Sequence, residues 1–95
     1  MLTGKQRAYL RKLAHTMDAV LQIGKQGITP EAAAAADEAL EARELIKISV
    51  LDNCEHSPKE VAEILSGRTR SECVQVIGKK FVLYRRSKGK RVVEL

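Results

Sequence analysis

The stretch Gln22-Ile23-Gly24-Lys25-Gln26-Gly27-Ile28-Thr29-Pro30 decides how this chain is read. It is preceded by a short extended run, Ala19 to Ile23, and followed by a strong helix start. Thr29 offers an N-cap oxygen, Pro30 suits the first helical position, and Glu31 puts an acid in the first turn. Ile28 and Ala33 fit a hydrophobic staple around that cap. Between strand and helix stand two glycines three apart, with Lys25 and Gln26 between them. Glycine is costly to order and adds no side-chain contact, so the pair marks a special backbone path.

Working outward, Thr3 to about Met17 carries Leu10, Leu13, Ala14 and Met17 at helical spacing. Arg7, Arg11 and His15 lie four apart on a neighbouring line, with Lys5 and Lys12 further round. This predicts an amphipathic first helix with a basic outer face. In the second helix the alanines and Leu40 form the inner face, and Glu31, Glu38 and Glu41 the outer one. Leu45 to Leu51 alternates around Lys47 and Ser49 and reads as a strand. Ser57-Pro58-Lys59-Glu60 opens a third helix through a capping box, with Val61, Ile64 and Leu65 turned inward and Gly67 as its stop. Cys73–Ile77 and Phe81–Tyr84 flank Gly78-Lys79, a hairpin with glycine at the first turn position. The order α-β-α-β-α-β-β predicts an α/β two-layer sandwich on a four-stranded mixed sheet. There is no internal repeat; Ile-Gly-Lys recurs at 23–25 and 77–79 but is too short to count.

The 95 residues suit a single domain, 1–95. Charge is informative in its distribution. Residues 1–28 hold five bases and one acid, residues 29–66 three bases and nine acids, and residues 67–95 nine bases and two acids, within a net charge of +5. Two basic ends flanking an acidic middle are the asymmetry expected of a polyanion binder with one face turned away, with solvated surface charge the other reading of any one segment. No apolar run approaches membrane-spanning length, and the N-terminus shows no secretory pattern. Two cysteines, Cys54 and Cys73, fit a reducing compartment, so the expected location is the cytoplasm.

The loop Gly24-Lys25-Gln26-Gly27 admits several readings. A Walker loop needs four residues between its glycines and a Gly-Lys-Ser/Thr ending, both missing here. A dinucleotide fingerprint needs a third glycine and a following acid. A KH-like GxxG loop clamping a nucleotide backbone matches the spacing and the strand-to-helix setting, and a helix N-terminus suits phosphate. A simple tight turn is the remaining reading.

Leu2-Thr3-Gly4-Lys5-Gln6-Arg7, Leu13-Ala14-His15, Gln22 to Thr29, Val76-Ile77-Gly78-Lys79 and Val82-Leu83-Tyr84-Arg85 together resemble the CRM domain (chloroplast RNA splicing and ribosome maturation). The resemblance is to its stand-alone bacterial YhbY-type members and runs through nearly the whole chain. It implies a fold similar to the C-terminal domain of translation initiation factor three and an RNA-binding role on precursors of the large ribosomal subunit. Organellar relatives assist intron splicing. The GxxG positions carry over onto Gly24, Lys25, Gln26 and Gly27. Charge adds Lys5, Arg7, Arg11 and Lys12 on the first helix, Lys79 and Lys80 at the hairpin, and Arg85, Arg86, Lys88, Lys90 and Arg91 near the C-terminus as expected RNA contacts.

No motif suggests catalysis. Cys54, His56, Cys73 and His15 lack paired ligand spacings, so free thiols and no metal or other cofactor are expected. Aromatics are few: Phe81 suits the core, Tyr84 is undecided, and Tyr9 is a candidate for base stacking. The expectation is a monomeric, non-enzymatic binder of structured ribosomal RNA, with no membrane or small-molecule partner. The rival is a protein-interaction adaptor that uses the acidic second helix.

Overall fold

The computed structural model describes residues 2–89 and 91–95. Helix α1 (Gly4–Ala14) is followed by β1 (Leu21–Ile23), α2 (Pro30–Arg43), β2 (Leu45–Val50), α3 (Pro58–Thr69), β3 (Glu72–Ile77) and β4 (Lys80–Tyr84). All three helices start where local chemistry says they should. Thr3 with Gln6 and Ser57 with Glu60 form reciprocal capping boxes, and Thr29 Oγ1 accepts from the N–H of Ala32 at 3.0 Å with Pro30 behind it.

The strands form one mixed sheet in the order β1-β2-β4-β3. β1 runs parallel to β2 through the α2 crossover, while β4 inserts antiparallel between β2 and β3. Gly78, at φ +57°, makes the sharp β3–β4 turn. The expected α/β class, element order and mixed sheet are all present. The sandwich itself is the sheet with α2 and α3, whose Ala36, Leu40, Val61, Ala62 and Leu65 close over Ile23, Ile46, Ile48, Phe81 and Leu83. Helix α1 lies across the opposite face, where Leu10 and Ala14 join Leu45, Val74, Val82, Tyr84 and Val93 of the C-terminal segment. Strand β2 therefore has apolar residues on both faces, with Lys47 and Ser49 where α1 does not reach.

Three details differ from the sequence expectation. Leu13 and Ile64 are each 36% exposed. Helix α1 meets the sheet through Leu10 and Ala14, and α3 through Val61, Ala62, Leu65 and Thr69, which leaves Leu13 and Ile64 at the rim of their contacts. Gly67 does not stop α3. The helix runs on to Thr69, whose buried hydroxyl bonds the Leu65 carbonyl at 2.7 Å, and ends at Arg70 in the left-handed conformation.

Candidate nucleic-acid interface

The GxxG loop is a closed turn, with the N–H of Gly27 donating to the carbonyl of Gly24 at 2.9 Å. Each glycine has its own reason. Gly27 has φ +68°, which side chains rarely adopt. A Cβ on Gly24 would lie 3.2 Å from Leu51 Cδ1 and 3.3 Å from Asn53 Oδ1, so Gly24 lets β1 pass close to the β2–α3 connection. The turn holds Lys25 and Gln26 out in solvent. Helix α2 behind it adds less to an anion seat than its position suggests. Pro30 has no N–H, Thr29 takes the N–H groups of Ala32 and Ala33, and Glu31 is exposed in the first turn.

A second cationic region was only half visible in the sequence. Arg11, Lys12 and His15 of α1 form one wall of a groove of about 600 Å³. Its other side is the sheet, through Lys47, Gln75, Ile77 and Val82. Strand register extends this face along the row Gln22, Ser49, Lys80 and Ile77. Lys80 is exposed, and Ile77 is 58% exposed. Lys47 could have been picked out by the alternation of its strand, which assigns it to the face away from α2 and α3, whereas a bulge between Cys73 and Gln75 breaks the alternation of β3 and hides Gln75 from such a reading. Missing was any sign that α1 leaves that part of the face open.

Two expected RNA contacts are committed elsewhere. Arg7 is a brace between α1 and β3: it pairs with Glu72, and its Nη1 donates to the Cys73 carbonyl at 2.9 Å. Arg85 is mostly buried. Its Nη1 donates to Asp37 Oδ1 at 2.5 Å and to the Thr69 carbonyl at 2.8 Å, tying β4 to α2 and α3. Both guanidiniums are turned inward because a carboxylate distant in sequence folds against them. Lys79 pairs with Asp52 on the surface, an exposed contact that salt weakens readily. Lys5 is exposed on α1 beside Tyr9.

Arg86, Lys88 and Arg91 are exposed, and Lys90 lies outside the described residues. They follow β4, whose Tyr84 pairs with Leu45 at one end of β2, whereas the GxxG loop follows Ile23, paired with Val50 at the other end. Five residues of strand separate the two, about 17 Å. The expected surface is therefore split between opposite ends of the sheet.

Glu44, which sequence reasoning passed over, organises the C-terminal segment. It is fully buried at φ +65°, and its carboxylate accepts the N–H groups of Ser87 at 2.6 Å and of Val92 and Val93 at 2.7 Å each. Burial pushes this carboxyl up, but those three donors and the Arg91 charge outweigh it and hold it below its ordinary value. Burial pushes the Cys73 thiol up, which makes it a poor nucleophile. Both cysteines are free. Among the described residues no group of three or more His, Cys, Asp or Glu is placed to hold a metal ion, and no helix is long and apolar enough to cross a membrane.

With this geometry in view, the CRS1/YhbY (CRM) domain family matches residues 2–85. The chain belongs to that family. A Bacillus subtilis relative named as the probable RNA-binding protein YqeI is 50% identical over 95 residues, covering 100% of this chain and 99% of its own. A Haemophilus influenzae protein named as an RNA-binding protein is 32% identical over 91 residues, covering 96% and 92%. The solution structure of a Staphylococcus aureus protein, presented as a candidate RNA binder, superposes with a TM-score of 0.83 at 55% identity, covering 100% of this chain and 99% of that one. The CRM match includes the loop, the α1 groove and the hairpin, and ends at Arg85. The remaining residues lie beyond it, although the Bacillus relative continues through them.

Proposed function

We propose that this CRM domain binds structured ribosomal RNA and assists maturation of the large ribosomal subunit, as a cytoplasmic monomer without catalysis. The observation that carries this reading is the cationic groove between α1 and the open sheet face. Arg11, Lys12 and Lys47 stand around the strand residues Gln75, Ile77 and Val82, placed where they can neutralise backbone phosphates. Lys80 extends the same charge along the sheet face to the hairpin, and Lys25 stands exposed in the GxxG loop. RNA-binding is also how the bacterial relatives are named. The adaptor reading is weakened at Asp37 of the acidic helix, which is already paired with Arg85.

The test is cross-linking to RNA in living cells with the linked nucleotides mapped. Cross-links concentrated in precursors of large-subunit RNA are expected. Cross-links scattered over unrelated transcripts would remove the ribosomal part of the reading, and a protein association that survives ribonuclease, with no RNA cross-links, would favour the adaptor.

A further inference from the structure

Beyond β4 the chain passes over the C-terminal half of α2, and there Ser87, Lys88 and Gly89 close around a carboxylate. Oε2 of Glu41 accepts from Ser87 Oγ at 2.8 Å, from the N–H of Lys88 at 3.0 Å and from the N–H of Gly89 at 3.1 Å. Nη2 of Arg85 lies 3.5 Å from the other oxygen. Two successive backbone N–H groups, a hydroxyl and a guanidinium converging on one anionic group form the donor set that proteins present to phosphate. We propose that Ser87-Lys88-Gly89, beside the inward-turned Arg85 charge, is a seat for an RNA phosphate, and that Glu41 occupies it until RNA displaces it. This rests on the RNA-binding reading, and it places a contact outside the residues matched by the family.

The two carboxylates of this region differ in a way that separates an anchor from a stand-in. Glu44 is fully buried and holds the segment from both sides, through Ser87 and through Val92 and Val93. The segment is thus fastened without Glu41. Glu41 keeps 40% of its side chain exposed and can rotate into water without uncovering the core. Arg86 and Lys88 project into solvent on either side of Ser87, where they would draw a polyanion toward the seat.

The experiment compares Glu41→Ala with Glu38→Ala, which removes the same charge from an exposed position on the same helix. Inorganic phosphate titrated into Glu41→Ala should move the amide resonances of Lys88 and Gly89 saturably, with little effect in Glu38→Ala, where the seat stays filled. Affinity for structured RNA, at one salt concentration, should rise about fivefold more in Glu41→Ala than in Glu38→Ala, the scale of one net hydrogen bond. Glu41→Gln removes the charge but keeps an acceptor in the seat, and should fall between the two. Equal RNA affinities with no saturable phosphate shift, or weaker RNA binding by Glu41→Ala, would overturn the proposal. Saturable phosphate shifts with no RNA binding by any of the proteins, wild type included, would instead overturn the RNA reading beneath it.

Discussion

The cationic groove makes a quantitative claim about salt. Arg11, Lys12 and Lys47 wall it, Lys80 lies on the same sheet face, and Lys25 is exposed in the GxxG loop, so five phosphates can be neutralised across the groove and the loop together. Each phosphate contact contributes about 0.7–0.9 log units of affinity per log unit of salt, which gives a slope near −4 for five. Replacing Arg11 and Lys47 with glutamine removes two contacts and should bring the slope to about −2.4. Between 50 and 200 mM salt, wild type should then lose roughly 250-fold in affinity and the variant roughly 30-fold. Fluorescence anisotropy with a structured fragment of large-subunit RNA measures both slopes. The control is Arg43→Gln with Lys59→Gln, which makes the same charge change at exposed positions on α2 and α3. Substitution at such surface positions should leave stability within about 0.5 kcal/mol. If the control pair flattens the slope as much as the groove pair does, net charge governs binding and the groove is not the interface.

Other substitutions test the fold and its fastenings. Leu10→Ala should cost about 2–5 kcal/mol in urea denaturation, and Leu13→Ala well under half as much, because Leu10 is fully buried and Leu13 is at the rim; equal losses would contradict the assigned helix faces. Gly27→Ala should cost on the order of 1–2 kcal/mol from its positive φ, and Gly24→Ala less, since Leu51 Cδ1 and Asn53 Oδ1 are side-chain ends that can move aside; the reverse order would refute the separate roles given to the two glycines. Glu44 has its folded pKa held below the ordinary 4.5, so the stability it confers is complete above that value and is lost as pH falls through the lowered one. Denaturation midpoints of wild type should therefore fall more steeply than those of Glu44→Gln as the pH is lowered through this acid range, and parallel pH profiles would show that the carboxylate does not fasten the C-terminal segment.

Legibility in the sequence followed the range of the interactions involved. Helix starts are written within four residues: Thr29 and Ser57 cap as read, and Thr3 with Gln6 forms a capping box of the same local kind that was not named from the sequence. Strands β2, β3 and β4 and the hairpin at Gly78 were equally local. Periodicity gives the direction of an apolar arc but not the width of what it meets, which is why Leu13 and Ile64 were misplaced. The site suffered most. Arg7 and Arg85 look like free cations until Glu72, 65 residues away, and Asp37, 48 residues away, are brought against them. Glu44 looks like a surface acid because its three donors lie 43 to 49 residues further on. Lys47 was read as a strand residue, and only the position of α1 reveals it as part of a groove.

The chemistry of the open sheet face bears on how RNA would be recognised there. Modules that read bases on a sheet do so with aromatic platforms. Here the exposed rows carry Lys47, Ser49, Gln22, Gln75 and Lys80, with Ile77 as the apolar member. Phe81 is fully buried and Tyr84 nearly so, which leaves Tyr9, 43% exposed on α1, as the one aromatic ring free to stack. With so little stacking capacity on this face, backbone shape should contribute more than base readout to discrimination among RNAs. On the proposed reading, the GxxG loop and the C-terminal cations, which follow strand ends about 17 Å apart, would act as a ruler. An RNA whose strands place phosphates at both ends gains both sets of contacts, and a flexible single strand must lose conformational entropy to do the same. Competition assays should accordingly rank folded large-subunit RNA fragments above unstructured oligonucleotides of equal length and charge. Tyr9→Ala should leave that ranking intact while lowering all affinities by no more than one stacking contact, about 1–3 kcal/mol. A reversal of the ranking in Tyr9→Ala would mean that base stacking on α1, rather than backbone shape, selects the RNA.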